Sequence, residues 1–452
     1  MLDLDRKGVL FRLTWPIFIE TGMRLLLGNI SVFMIARHSD EAVAATGVAT
    51  QVLNMLIMIF GIVATGSAII ISQHLGAGDR KTASQAVFVS ILVNAAFGLA
   101  MSLVMLTCAE PIGRMMNVEG ETLLYVALML RIAGGTCFTQ AIIATFGAIF
   151  RNYGYTKIPM AIALAMNAAN IIGNYIALFE PFGLPVFGVQ GVAVSMAASA
   201  GIGALWMIIV FLRRFSVREL LALSRPFPLP VLKGIYKIGL PSAAEGVGYN
   251  SSQLAVTYLI TYMGAEVLAA RVYAYNITTF VYILGLSVGI GTQILVGHLV
   301  GAGRNGQAYS MTFRNLYLAL GSNIVFSLIL MAFRHEIVGL YTDNEAIVRL
   351  AAAVLIADIL VETGRAFNHI GNGALRGAGD VKVPMVINVL SMWCVGVFLC
   401  YLFGLQLHWG LIGVWIALGL DEWTRGLALI FRWRSRVWER SILVNKRPAE
   451  SA

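Results

Sequence analysis

Apolar runs of spanning length recur along this chain, separated by short polar connections. A run of about 20 apolar residues is long enough to cross a bilayer as a helix. The pattern predicts helices at 9–36, 44–74, 84–108, 122–147, 158–180 and 189–213, then at 236–262, 268–300, 309–333, 346–372, 383–404 and 410–432. The longest polar connection, 214–235, is rich in arginine and carries three prolines, which marks it as a linker. The expected division is a first lobe at 1–213, a linker at 214–235, a second lobe at 236–432 and a basic tail at 433–452.

The two predicted lobes are copies. Moving 225 residues along the chain carries Pro16 to Pro241, Glu20 to Glu245, Glu41 to Glu266 and Ala44-Ala45 to Ala269-Ala270. The same step carries Gly76-Ala77-Gly78 to Gly301-Ala302-Gly303, Arg151 to Arg376, Lys157 to Lys382 and Pro159-Met160 to Pro384-Met385. Near the end the step shortens to 222, pairing Gly188 and Gly191 with Gly410 and Gly413. A repeat with an even number of spans starts on the same side each time, so the two lobes are expected to be parallel, related by an axis along the membrane normal. The fold class is therefore all-α integral membrane, with twelve transmembrane helices in two parallel-repeat six-helix lobes around a central cleft.

Composition sharpens this picture. Hydrophobic residues make up 58% of the chain and charged residues 12%, with a mean hydropathy of +0.80. Soluble domains carry about 25% charged residues, so a water-facing surface is excluded. The net charge of +9 is spread over the connections rather than gathered into one stripe, which argues for a lipid bilayer and against nucleic acid as partner. One set of connections holds Arg6, Lys7, Arg80, Lys81, Arg151, Lys157, the 213–237 cluster, Arg304, Arg376, Lys382 and the tail to Arg447. The other holds Asp40, Glu41, Glu110, Glu119, Glu121, Glu180, Glu266, Glu336, Asp343 and Glu345. Cytoplasmic connections favour Lys and Arg, so both termini are expected in the cytoplasm and the protein in the inner membrane. Cys108, Cys137, Cys394 and Cys400 lack metal or redox spacing and read as core. No cleavable leader is expected ahead of the first span.

Ionisable residues at bilayer depth cost about 2.5–3.5 kcal/mol each on insertion scales and tend to face a cavity or a partner. Glu20, Arg24 and Ser31 share one face of the first predicted helix, and Glu245, Tyr249 and Ser252 one face of the seventh. The tenth carries Asp358, Glu362, Arg365 and His369 on one face with Asn368 beside them, and the fifth carries Asn167, Asn170 and Asn174. The candidate coupling and solute residues are thus Glu245, Glu20, Asp358, Glu362, Arg365, Arg24, Tyr249, Asn368, Asn170 and Asn174. Glu245 has no cation within a turn of its own helix and is expected to be the proton carrier, whereas Glu20 pairs with Arg24 and Glu362 with Arg365. The bland alternative is that these groups only tie helices together, and for the asparagines it is the favoured one. The two Gly-Ala-Gly segments read as helix stops. The chain has no phosphate-binding G-x-x-x-x-G-K-[ST] segment, no second histidine for His335-Glu336, and no nucleophile–base set. It is expected not to be an enzyme, to need no cofactor beyond a coupling H⁺ or Na⁺, to act on a small molecule, and to work as a monomer.

Gly239-Leu240-Pro241, the paired Gly-Ala-Gly turns and the stretch from Gly373 to Asp380 resemble the multidrug and toxic compound extrusion (MATE) family over nearly the whole chain. The resemblance implies antiport: organic cations or amphipathic drugs leave as H⁺ or Na⁺ enters. Where many members carry a helix 1 aspartate this chain has Ser31, and where some carry a helix 7 glutamate or a helix 10 aspartate it has Tyr249 and Arg365. The segment from Glu362 to Asn368 looks like a variant of one branch of the family. The alternatives are a flippase for an amphipathic or lipid-linked substrate, and a channel or receptor-like module.

Overall fold

The computed structural model describes residues 4–5, 8–37, 39–179 and 185–444. Arg6, Lys7, Glu180 and the tail beyond residue 444, all used above to orient the chain, lie outside the described residues. Within them the chain is helical, with no strand. Twelve long helical passes follow one another. In the first half they are α1 (Val9–Ala36), α2 (Asp40–Gly76), α3 (Arg80–Met115), α4 (Gly120–Gly134 with Phe138–Asn152), α5 (Lys157–Leu178) and α6 (Gly188–Arg214). In the second they are α7 (Leu229–Thr261), α8 (Ala265–Gly301), α9 (Asn305–Ala332), α10 (Glu345–Gly377), α11 (Lys382–Gln406) and α12 (Gly410–Arg434). The starts of α2 to α5 reappear 225 residues later in α8 to α11, and that of α6 reappears 222 residues later in α12. The sequence repeat is a structural repeat.

Eight of these helices are long and apolar enough to cross a membrane, or nine with the bent pair of α4. The others are α7, with its polar run from Ser242 to Gln253, and α10 and α12, which carry charges along their middles. The distribution of side chains is inverted relative to a water-soluble protein. Phe33, Leu103, Leu254 and Tyr317 are exposed, while Asn174, Asn315, Asn323, Glu362 and Asn388 are wholly buried. Lipid replaces water as the solvent, so apolar groups face outward and polar groups find partners within the protein.

Two compact units account for the chain. The first comprises residues 19–71 and 80–239; its core gathers Phe60, Met129, Leu130 and Val192. The second runs from residue 240 onward and also takes in the start of α1 through Phe18 and residues 72–79 at the end of α2. Its core includes Ile260, Leu355, Val414 and Trp415. Both changes of unit in α1 and α7 fall within three residues of a proline, Pro16 or Pro241. A proline inside a helix removes one backbone hydrogen bond and lets the axis bend.

Within the second unit the paired Gly-Ala-Gly segments do more than stop helices. A Cβ on Gly76 would lie 2.1 Å from the His298 carbonyl oxygen, and one on Gly301 would lie 1.9 Å from that of Gln73. Residues 73 and 298 are themselves repeat partners, so the ends of α2 and α8 approach each other by the same contact made twice. Gly78 and Gly303, both at positive φ, then turn the chain. The basic tail also begins as folded structure. Trp438 is fully buried, stacks on Trp433 with centroids 4.1 Å apart, and donates from its indole to the Trp433 carbonyl. The Leu443 amide then donates to the Gln73 side chain, whose amide donates to Gly377. Of the cysteines read as core, Cys137 and Cys400 are buried, Cys108 is intermediate and Cys394 is exposed. In a lipid-facing helix an apolar position need not be an interior one.

Candidate functional site

Each half holds a glutamate four residues after its helix proline, and each glutamate meets an arginine from the end of another helix. Glu20 in α1 accepts from Arg151 of α4 at 3.1 Å and from Arg24 at 3.2 Å. Glu245 in α7 accepts from Arg376 of α10 at 2.6 Å, and from the amides of Asn372 and Asn388 at 2.8 Å each. The two long-range pairs are repeat equivalents, 131 residues apart in both halves. Glu245 has no cation within a turn of its own helix, as the sequence has it, yet Arg376 supplies one from another helix. Spacing along one helix sees only partners within a turn, whereas Arg376 arrives from α10. The recurrence of Arg151 and Arg376 at the repeat interval was the available signal. Both arginines sit at helix ends, where the charge pattern alone places them in the connections.

A larger constellation lies on α10 and α12. Glu362 pairs with Arg365, and Arg365 reaches Glu422 at 3.4 Å. Glu422 accepts from Asn368 at 2.8 Å and from Arg425 at 2.9 Å. Arg425 reaches Asp421 at 2.6 Å, and Asp421 also accepts from Ser391 at 2.6 Å. Asp358, one turn before Glu362, accepts from the Trp415 indole at 3.0 Å. The Arg365 guanidinium lies over the Tyr282 ring, which contacts His369 edge-on. Four buried carboxylates here face two guanidiniums. Glu362 Oε2, Asn368 Oδ1, His369 Nε2 and Arg425 Nε have no hydrogen-bond partner among the described residues.

Sequence reasoning found the α10 half of this constellation and missed Asp421, Glu422 and Arg425. Their spacing, i to i+3 and i+4 inside an apolar helix, is the same signal that picked out α10. Glu20 and Arg24 meet as expected. Among the described residues no hydrogen bond is made by the Tyr249 phenol. Of the asparagines Asn170 bridges helices, accepting from Ser31 of α1 and donating to Ser195 of α6, while Asn174 donates to Asn170 within α5. No group of three or more His, Cys, Asp or Glu suited to a metal ion occurs among the described residues.

The first half has a hollow where the second has charge. A cavity of about 210 Å³ lies within the first unit, lined from α2, α4, α5 and α6 at the 47° break in α4. Its wall includes Ala133, Cys137, Gln140, Ser199 and Ala200. By the repeat these stand where Asp358, Glu362, Arg365, Asp421 and Glu422 stand in the second half. Ile57, on the α2 wall, corresponds likewise to Tyr282. Small neutral side chains leave open the volume that long charged ones occupy.

Comparison with known proteins agrees with this duplicated architecture. The MatE family profile matches twice, at 16–176 and at 241–402, each match opening on one of the paired prolines. The chain is 41% identical to the uncharacterized transporter YisQ of Bacillus subtilis, covering 96% of this chain and 95% of that protein. It is 25% identical to a probable multidrug resistance protein NorM of Thermotoga maritima, over 98% and 95% of the two. Its fold is similar to that of a multidrug resistance MATE family transporter of the MOP superfamily solved in an outward-facing conformation. The TM-score is 0.85 at 18% identity, covering 97% of each chain. With a family match across both halves and a relative of that identity along its length, this chain belongs to the MatE family of multi-pass membrane transporters.

Proposed function

We propose that the protein is a secondary antiporter that exports amphipathic small molecules in exchange for H⁺ or Na⁺, with the coupling charge carried on α10 and α12. The observation that supports this reading most is the surplus of carboxylates. Asp358, Glu362, Asp421 and Glu422 are all at most 5% exposed, and among the described residues only Arg365 and Arg425 form ion pairs with them. An uncompensated buried charge costs several kcal/mol. Protons or a small cation would relieve that cost, and their loss would restore it. Such a cluster is suited to two states of charge. His369 and Tyr282 border it and add to its titratable groups. Glu245, held by a cation and two amides, is better suited to holding α7 against α10 and α11.

The test is transport in proteoliposomes with an imposed pH or Na⁺ gradient and a fluorescent amphipathic substrate. Glu362→Gln fixes the uncharged form at nearly constant size. It should keep substrate binding and lose gradient-driven accumulation. Undiminished coupling in that variant would refute the assignment. Orientation is part of the proposal, with both termini in the cytoplasm of the inner membrane. A cysteine placed at the exposed position 218 should react from the cytoplasmic side, and one at the exposed position 340 from the opposite side.

A further inference from the structure

We propose that the cavity of the first half binds an uncharged amphipathic molecule bearing amide or hydroxyl groups, and not an organic cation. This rests on the transport reading above and narrows it to a ligand class. Among the described residues no ionisable carboxylate, amine or guanidine lines the cavity. The carboxylate that the same unit carries on α1, Glu20, is already held by Arg24 and Arg151. A cation entering this space would give up its hydration for neutral walls, a heavy cost without a counter-charge.

What the cavity does offer is hydrogen bonding. Asn54, Gln140 and Asn167 line it, and their carboxamides make no hydrogen bond to another described residue. Each amide supplies both donors and an acceptor, so the set is matched by a neutral solute that can give and take hydrogen bonds. Beside them Phe60, Met166 and Met196 supply apolar, adaptable contact. The volume of about 210 Å³ suits a small solute or one end of a larger one, since pockets for drug-sized ligands run to roughly 300–1,000 Å³.

The repeat supplies an independent argument. At the equivalent place the second half carries a charged network, so the neutrality of the first half is a local difference and not a property of the fold. Gln140 stands where Arg365 stands, and Cys137 where Glu362 stands. A transporter with a charged network in one half and a neutral cavity in the other can let the coupling ion and a neutral solute occupy different halves.

The experiment is a saturation-transfer NMR titration of the purified full chain in detergent with two matched probes, 3-phenylpropionamide and phenethyltrimethylammonium. The amide should bind at least tenfold more tightly than the cation. Asn167→Leu and Gln140→Leu should each weaken the amide by roughly three- to tenfold, the worth of a hydrogen bond or two, with unfolding temperature unchanged. Asn167→Asp should reverse the preference between the probes. Tighter binding of the cation by the unsubstituted protein would overturn the proposal, and so would amide binding that neither leucine substitution alters or that is absent. Because the titration needs no gradient, its result is separate from the coupling test. Uncoupled transport would leave this binding intact, and failure of the amide to bind would leave gradient-driven transport of other solutes standing.

Discussion

The two halves are built alike and furnished differently. Glu20–Arg151 and Glu245–Arg376 hold the same positions in the repeat and make the same long-range contact. Deeper in each half the correspondence of position remains while the chemistry parts. Ala133, Cys137, Gln140, Ser199 and Ala200 line a hollow, and their counterparts Asp358, Glu362, Arg365, Asp421 and Glu422 form an ionic network. The contacts that hold helices together have been retained in both copies. The residues that line the interior have diverged. A duplicated fold can therefore assign ion and solute chemistry to different copies without altering its frame.

The sharpest way to break this contrast is to strike the same repeat position in both halves. Arg365→Met strands Glu362 in a buried setting, leaves Glu422 to Arg425 and Asn368, and should lower stability by about 3–5 kcal/mol. Gln140→Leu, its counterpart, should change stability by less than about 1 kcal/mol. Unfolding followed by tryptophan fluorescence in detergent reads both, and equal losses would erase the distinction. A second comparison concerns how the halves end. Trp438 closes the second half by stacking on Trp433, and Trp438→Ala should cost about 3 kcal/mol. The short helix Val217–Leu223 after α6 buries only Leu220, so Leu220→Ala should cost no more than about 2 kcal/mol.

The paired glutamates should separate less widely. Glu245→Gln leaves Arg376 facing amides alone and should cost about 2 kcal/mol. Glu20→Gln should cost about half of that, because Arg24 is 60% exposed and can turn to solvent. If the Glu20 variant proves the weaker protein, the ranking of the two pins is reversed. The smallest effect is expected at the Gly-Ala-Gly turns, where Asp79 in one copy pairs with His74 and Arg304 in the other pairs with Asp5. The hydrogen bond from Arg304 holds the Asp5 carboxyl below its ordinary value. Its contribution is thus complete above about pH 4 and fades as pH falls through the lowered value. Asp5→Asn should flatten that part of a stability–pH curve slightly, and a steeper acid limb would contradict the pairing.

Much of this was legible in the sequence, for physical reasons that particular residues show. A lipid solvent demands long apolar helices, so the twelve passes were visible as runs, and duplication made Pro16 and Pro241 or Gly76 and Gly301 recognisable as partners. Buried charges on α10 stood out because charge in an apolar run is costly. Local spacing also revealed Glu20 with Arg24 and Glu362 with Arg365, since helix geometry places such residues side by side. Tertiary structure alone decided what came from elsewhere. It brought Arg376, Asn372 and Asn388 around Glu245, joined α12 to α10 through Glu422, and set Trp438 beneath Trp433. It also turned a row of small neutral residues, unremarkable in the sequence, into a cavity. Helix periodicity specifies neighbours within a turn, but only packing specifies which helices meet, and a void has no residues of its own to announce it.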